Sequence, residues 1–142
     1  MYTALEVAKY TINKCIELGR PISNLQLQKI LYYIQGEYMK KNHGEVLFNE
    51  SIEAWQYGPV VPDVYYKYKM YSASRIIDKQ EEIEITASNK PIIDEVIENK
   101  SLLRASRLVQ DTHEESPWKT AYKRGSGTTI LKEEMKEFFF GE

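Results

Sequence analysis

Apolar side chains recur at helical spacing near the start of the chain. Each of two segments begins with a capping-box pattern, in which Thr3 or Ser23 precedes a glutamate or glutamine by three residues. Gly19 and a proline soon after it separate the segments, as is typical where one helix ends and another begins. The pattern therefore predicts two amphipathic helices, the second ending near Lys41.

Polar and apolar residues alternate in two short segments farther along, at residues 52–55 and 83–86, which is the pattern of a half-exposed strand. We expect the two strands to pair as a small antiparallel ribbon that packs on the helices, because such a ribbon alone is marginally stable. Gly58 and Pro59 predict a rigid corner at which the first strand ends. Pro62 suits the first turn of a helix, so a third helix is predicted to begin there.

Prolines and serines mark the elements of the second half of the chain. Pro91 is predicted to start a helix, and Ser101 to cap the next one. Pro117 is predicted to open a short turn that contains Trp118, and a final amphipathic helix is predicted at residues 131–139. Because helices dominate this order, the expected fold class is α+β, mostly helical, with a small antiparallel β-ribbon.

The composition is that of a single soluble domain. With 142 residues the chain is long enough for one hydrophobic core, and we expect residues 1–142 to form one compact domain. Its 19 basic and 21 acidic residues give a net charge of −2, which is unfavourable for binding nucleic acid. The N-terminal residues lack the order of a signal peptide, and no apolar run reaches membrane-spanning length. We therefore expect a cytoplasmic protein with no membrane partner.

Residues 111–115 hold the one combination of carboxylates with an imidazole that could support catalysis or bind a metal. His113 lacks the second histidine four residues later that a zincin helix needs, and the other histidine, His43, is predicted to lie in a turn. Cys15 is the only cysteine, which excludes an intramolecular disulfide and a cysteine-based zinc site. We therefore expect a protein that is not an enzyme and carries neither metal nor cofactor. Thr112 and His113 are expected to end a helix and to satisfy its last carbonyls.

The first two predicted helices and the turn between them resemble a helix-turn-helix, which is the basis of an alternative function as a phage or prophage DNA-binding regulator. The candidate recognition helix offers Gln26, Gln28 and Lys29 but no arginine. Arg20, in the turn, is the one other cation close to it. Charge thus makes nucleic acid the weaker of the candidate partners.

Tyrosine is over-represented, with 11 residues, most of them between Tyr32 and Tyr71. Its large apolar ring and polar tip suit interfaces as well as the edges of a core. We predict a partner-binding surface in a run of aromatic and basic residues: Tyr57, Tyr65, Tyr66, Lys67, Tyr68 and Lys69. The acidic stretch from Asp78 to Glu98 is the next candidate surface, and its alternative interpretation is a solvated face.

Three motifs follow one another along the chain, at residues 25–33 (LQLQKILYY), 54–65 (AWQYGPVVPDVY) and 112–118 (THEESPW). Together they resemble the Panacea antitoxin domain family, which includes phage-associated GepA-like proteins and SocA-like proteolytic adaptors. The residues that carry this structural signature are Gln28, Lys29, Trp55, Gly58, Pro59, His113, Pro117 and Trp118. The resemblance implies a mostly helical, non-catalytic domain that binds and neutralises a cognate protein toxin, either by occluding it or by delivering it to a protease.

Large apolar side chains occur at two further places. Trp55 and Trp118 flank chain breaks, where a large ring can lock a corner, and both are predicted to be core residues. The tail at residues 138–142 begins with apolar side chains and is expected to fold onto the core. The adaptor members of the family that the chain resembles suggest an alternative, an exposed tail that a protease recognises.

Overall fold

A long central helix organises the fold. The computed structural model describes residues 1–141. In chain order its elements are α1 (Ala4–Glu17), α2 (Asn24–Lys41), β1 (Glu53–Trp55), β2 (Gly58–Val60), α3 (Pro62–Tyr68), a 3-10 turn (Lys69–Tyr71), α4 (Lys90–Lys100), α5 (Ala105–His113), α6 (Ser116–Arg124), β3 (Thr128–Thr129) and α7 (Lys132–Phe140). α2 packs against α1, α4, α5 and α7, and twelve of its 18 residues are buried. The predicted class is confirmed: one mostly helical domain with a small antiparallel sheet.

Both predicted capping boxes are present. The Thr3 hydroxyl accepts the Glu6 N–H at 3.1 Å, and the Thr3 N–H donates to Glu6 Oε1 at 2.9 Å. Ser23 and Gln26 exchange the same pair of hydrogen bonds at the start of α2. These bonds satisfy amide groups that have no partner within the helix, and so they fix where each helix begins.

The burial of α2 decides whether the first two helices form a DNA-binding motif. A recognition helix needs an exposed face whose side chains reach base edges. Gln28 and Lys29 are instead 0% exposed, and Gln26 donates to the Leu103 carbonyl at 3.0 Å. The helix-turn-helix interpretation of this pair is therefore wrong, because α2 is the core helix of the domain.

The sheet is a hairpin with a third strand added, in the order β2–β1–β3. Trp55 of β1 pairs with Gly58 of β2 across a two-residue turn, and β1 also pairs with β3, in both cases antiparallel. The predicted corner at Gly58 and Pro59 is wrong, because both residues lie inside β2 and the chain turns before them. The first strand of the predicted ribbon is therefore correct, but its partner is the segment that follows directly.

Residues 83–86 do not form the second strand of the predicted ribbon. The chain just before them contacts α1 through a side chain: Asn13 accepts the Gln80 N–H at 2.7 Å and donates to the Gln80 carbonyl at 3.1 Å. Ile85 is buried, and Ile83 is half-buried against the core. The alternation of apolar residues thus arises where irregular chain packs on the helices, and periodicity alone cannot distinguish that from a strand.

In the second half of the chain, some helices begin at other residues than predicted, and one predicted turn is a helix. Ser101 is the C-cap of α4 rather than the cap of α5, whose N-cap is Arg104. Pro117 lies in the first turn of a nine-residue helix, α6, and not in a short turn. The final helix is confirmed as α7, and Phe139 is 1% exposed, so the described part of the tail folds onto the core. Glu142 lies outside the described residues.

Candidate partner-binding surface

The β1–β2 hairpin is the point where the motif residues of the sequence meet. From α2, Gln28 Oε1 accepts the Val61 N–H at 2.9 Å, and Lys29 Nζ donates to the Pro59 carbonyl at 2.7 Å. Gln28 also donates to Asn24 Oδ1 at 2.8 Å, one turn earlier in the helix. Two adjacent side chains of the core helix thus bind the backbone of the edge strand and of the residue that follows it, and this keeps those polar groups satisfied.

α5 and α6 hold the turn of the same hairpin. Trp118 Nε1 donates to the Trp55 carbonyl at 2.8 Å, and His113 Nε2 lies 2.9 Å from the Gln56 carbonyl oxygen. Because a carbonyl oxygen only accepts, His113 carries a hydrogen on Nε2. The imidazole also stacks on Trp118, with ring centroids 4.1 Å apart. The third motif therefore positions the turn that the second motif forms.

α5 ends at His113 as predicted, but the prediction that Thr112 and His113 satisfy its last carbonyls is wrong. The Asp111 and Thr112 carbonyls accept the backbone N–H groups of Glu114 and Glu115 instead. Thr112 Oγ1 lies 3.1 Å from the Leu108 carbonyl oxygen and 3.0 Å from that of Val109, and it donates its hydrogen to them. The His113 side chain points away from α5 and binds the Gln56 carbonyl of the hairpin instead. The sequence could not show this because Gln56 is distant from His113 along the chain.

Gly58 lies where the two supports of the hairpin approach each other. Its φ of +110° is in the region that favours glycine. A Cβ at this position would lie 2.7 Å from Lys29 Cε and 2.8 Å from Thr112 Oγ1. Glycine is therefore needed here for the backbone conformation and for the close approach of α2 and α5.

The tyrosine pair of the first motif binds the third motif directly. The Tyr32 and Tyr33 hydroxyls donate to the two carboxylate oxygens of Glu115, at 2.9 and 2.7 Å. Glu115 is the N-cap of α6, and the buried Pro117 lies in the first turn of that helix. α2 thus fixes the start of the helix that carries Trp118. The predicted structural residues act together, and what they hold in place is the hairpin.

Lys29 is an ionisable group inside the core. Its side chain is fully buried, and burial lowers the pKa of its ammonium from 10.5 to about 7. Among residues 1–141, its polar contact is the hydrogen bond to the Pro59 carbonyl. A lysine in this position makes the stability of the hairpin support depend on pH.

The protein should become more stable as the pH rises from about 7 to about 9. In this range the unfolded chain keeps the Lys29 proton that the folded protein releases, so the free energy of unfolding rises, by at most about 1.4 kcal/mol per pH unit. Burial raises the pKa of the Cys15 thiol from 9.0 to about 12, and this opposes the trend above pH 9. Urea unfolding across the range measures the slope. Lys29→Met should remove it and the exposed control Lys119→Met should keep it, whereas equal slopes in both variants would assign it to another group.

An open groove of about 490 Å³ lies between the hairpin, the start of α2, and α3 with the chain that follows it. We call it the aromatic groove, and the residues that line it include Leu25, Trp55, Tyr57, Val60, Tyr65 and Lys69. The rings of Trp55 and Tyr65 meet edge to face, with centroids 4.9 Å apart. A concave and mainly apolar site of this kind can desolvate a side chain of a partner.

The residues predicted to bind a partner lie at different distances from this groove. Tyr57, Tyr65 and Lys69 line it. Tyr66 is 59% exposed, and its ring packs on that of Tyr65 with centroids 5.4 Å apart, so it extends the same aromatic surface. Lys67 is exposed but does not line the groove.

The structure differs from the prediction at Tyr68, which was expected on the surface, and at Trp55, which was expected in the core. Tyr68 is 2% exposed, and its hydroxyl donates to Gln80 Oε1 at 2.8 Å, so its assignment to the partner surface is wrong. Consecutive residues of a helix point in different directions, and a run of tyrosines in α3 cannot share one face. Trp55, predicted in the core, is half-buried and lines the groove. Trp118 is half-buried too, but it packs against the core.

Sequence reasoning missed the aliphatic part of the groove. Leu25 of α2 and Val60 of β2 line it, and neither belongs to a run of aromatic or basic residues. Leu25 does carry a signal, because it lies off the buried stripe of α2 that includes Leu27 and Leu31. An apolar residue outside the core face of a helix is a candidate for a binding surface.

Neither a cluster of metal-binding side chains nor a membrane-spanning helix is found in the part of the chain that the structure describes. Residues 1–141 contain no group of three or more His, Cys, Asp or Glu side chains placed to hold a metal ion. In the same residues, no helix is both long and apolar enough to cross a membrane. Cys15 is buried and its pKa is raised to about 12, which makes it a poor nucleophile.

Comparison with known proteins shows the family of the chain. Residues 27–119 match the family model described as Antitoxin SocA-like, Panacea domain. Antitoxin SocA of Caulobacter vibrioides (strain NA1000 / CB15N) is 31% identical over an alignment of 140 residues, which covers 89% of this chain and 73% of that protein. No solved structure matches the chain significantly. The family match spans every hairpin-holding motif residue from Gln28 to Trp118, and the chain belongs to the SocA-like antitoxin family, with a Panacea domain.

Proposed function

We propose that the protein neutralises a cognate protein toxin by direct contact, and that the aromatic groove with the neighbouring Tyr66 is the contact surface. The observation that carries the proposal is the position of the groove: the family's motif residues hold the hairpin, and the hairpin forms one wall of the groove. Tyr57, in the hairpin turn, is 59% exposed. Exposed aromatic rings around an apolar depression are typical of interfaces with protein partners.

Contact alone is sufficient for neutralisation, because a bound antitoxin can occlude the surface that the toxin uses. Delivery of the toxin to a protease is the alternative mechanism, and the abundance of the toxin distinguishes the two. Occlusion leaves the toxin at its normal level in cells that are rescued. Delivery lowers that level, and inactivation of the protease then restores toxicity.

We expect the purified protein to contain no stoichiometric metal. Among residues 1–141 no group of three or more His, Cys, Asp or Glu side chains is placed to hold a metal ion, and a single imidazole would leave the ion without the further protein ligands that a zinc site needs. Elemental analysis by mass spectrometry measures the metal content. One zinc per chain in the native protein, lost in His113→Ala, would contradict the metal-free state.

Co-expression with the product of the neighbouring reading frame tests the proposed function. If that product is a small toxin, the protein should restore growth, and the two should co-purify as a complex. A harmless neighbour would remove the proposed partner. Restored growth without any complex, under conditions that preserve other toxin–antitoxin complexes, would contradict neutralisation by contact.

A further inference from the structure

A second depression, which we call the basic groove, continues from the aromatic groove. Ala73 lines both grooves. At the start of α2, Ser23 and Gln26 line the basic groove, and Leu25 lines the aromatic groove. The basic groove has a volume of about 550 Å³. Three arginines line it: Arg20, Arg75 and Arg104. Among the described residues, no carboxylate lines either groove.

The charges of the basic groove are not neutralised by the protein itself. Arg20 is held by neutral groups, since Nε and Nη2 donate to Ser101 Oγ at 3.2 Å and Nη2 donates to the Glu98 carbonyl at 3.1 Å. Arg75 and Arg104 are exposed, and within residues 1–141 neither forms an ion pair. In a chain whose net charge is −2, three such arginines in one groove create a local positive potential that attracts an anionic partner.

We propose that the partner presents an extended segment in which an apolar side chain fills the aromatic groove and neighbouring carboxylates bind the arginines of the basic groove. The inference rests on the proposed function and adds the charge pattern of the segment that the toxin presents. Guanidinium groups bind carboxylates through paired N–H bonds. Arg20 is already positioned by Ser101, so its side chain loses little freedom when a carboxylate binds.

Two observations favour an acidic peptide over a single-stranded nucleic acid, which also combines cations with aromatic rings. The rings of Trp55 and Tyr65 meet at an angle of 62°, whereas successive bases stack on exposed ring faces. The net charge of −2 also disfavours a long polyanion, while a short acidic segment needs only the local arginines. The groove pair therefore fits a peptide with few charges and one apolar anchor.

Selection from a displayed library of random linear peptides against the purified protein tests the inference. Enriched peptides should combine an aromatic or large aliphatic residue with acidic residues, and their affinity, measured by fluorescence polarisation, should fall with salt. Arg75→Glu/Arg104→Glu should weaken binding about tenfold or more. Lys119→Glu/Lys123→Glu changes the net charge equally on α6, away from both grooves, and should bind as the native protein does.

Enriched peptides that lack acidic residues, or equal binding by the two double variants, would overturn the inference. So would tighter binding of a single-stranded oligonucleotide than of the peptides at physiological salt. The proposed function has a separate readout. If Arg75→Glu/Arg104→Glu still neutralises the toxin fully, the basic groove is dispensable and the proposed function stands. If the native protein neutralises no toxin, the proposed function fails, and the peptide affinities still decide the charge pattern.

Discussion

Phe139→Ala is expected to lower the free energy of unfolding by about 3–5 kcal/mol. Phe139 is 1% exposed, and its ring meets those of Tyr32 and Tyr33 edge to face, at centroid distances of 5.5 and 6.3 Å. A Cβ at Gly36 would overlap the ring, so this glycine leaves the space in which the tail packs on α2. Removal of the ring therefore opens a cavity next to the core helix.

The next residue provides a matched control, because Phe140 is 46% exposed. Phe140→Ala should change the free energy of unfolding by less than about 0.5 kcal/mol. Urea unfolding followed by tryptophan fluorescence gives both values. Small and equal losses in the two variants would show that the tail is not part of the core, and would revive the alternative of a tail exposed to a protease.

Gly58→Ala is expected to have the next largest effect. The substitution places a Cβ on a residue with φ of +110° and brings it within 2.8 Å of Lys29 Cε and Thr112 Oγ1. Backbone strain and overpacking each cost about 1–3 kcal/mol. Because the two supports of the hairpin must separate, toxin binding should weaken together with stability.

Gly127→Ala separates the two contributions to this loss. Gly127 also has a positive φ, +83°, but a Cβ there would meet nothing within 4 Å. Its loss of stability should therefore contain only the backbone contribution, and toxin binding should be unaffected. Thermal unfolding of both variants measures the difference, and equal losses would mean that the close contact at Gly58 relaxes without cost.

Local signals in the sequence predicted where the first four helices begin. Capping boxes at Thr3 and Ser23 fix helix starts through contacts within one turn, so the sequence window contains all the partners. Pro62 and Pro91 lie in the first turns of α3 and α4 for an equally local reason. Such features do not depend on the rest of the fold, and the structure contains them as predicted.

Features that depend on tertiary contacts were predicted less well. Ile83 and Ile85 alternate with polar residues as in a strand, but the nearby Gln80 backbone bonds to a side chain of α1, and no strand forms there. Tyr68 has the sequence context of a surface residue, and burial beside Gln80 places it in the core. Periodicity reports which residues are apolar and not what covers them.

The grooves could not be predicted because their residues come from distant parts of the chain. Leu25, Val60 and Ala73 meet only after α2, the hairpin and the chain after α3 have packed together. The family motifs indicated the region by resemblance, yet most motif residues hold the hairpin and do not line the groove. The residues that hold the hairpin are easier to recognise in the sequence than those that line the groove. The hairpin is held by residues of unusual type for their position, such as the buried Lys29.

The affinity of the purified protein for its toxin, measured by isothermal titration calorimetry, tests the central claim most directly. Tyr57→Ala/Lys69→Glu alters two exposed residues of the aromatic groove, and it should weaken binding about tenfold or more while the melting temperature stays unchanged. Phe140→Ala/Lys123→Glu changes one exposed ring and one exposed cation elsewhere, and it should bind as the native protein does. Equal affinities of the native protein and the groove variant, or no complex at all, would contradict the account.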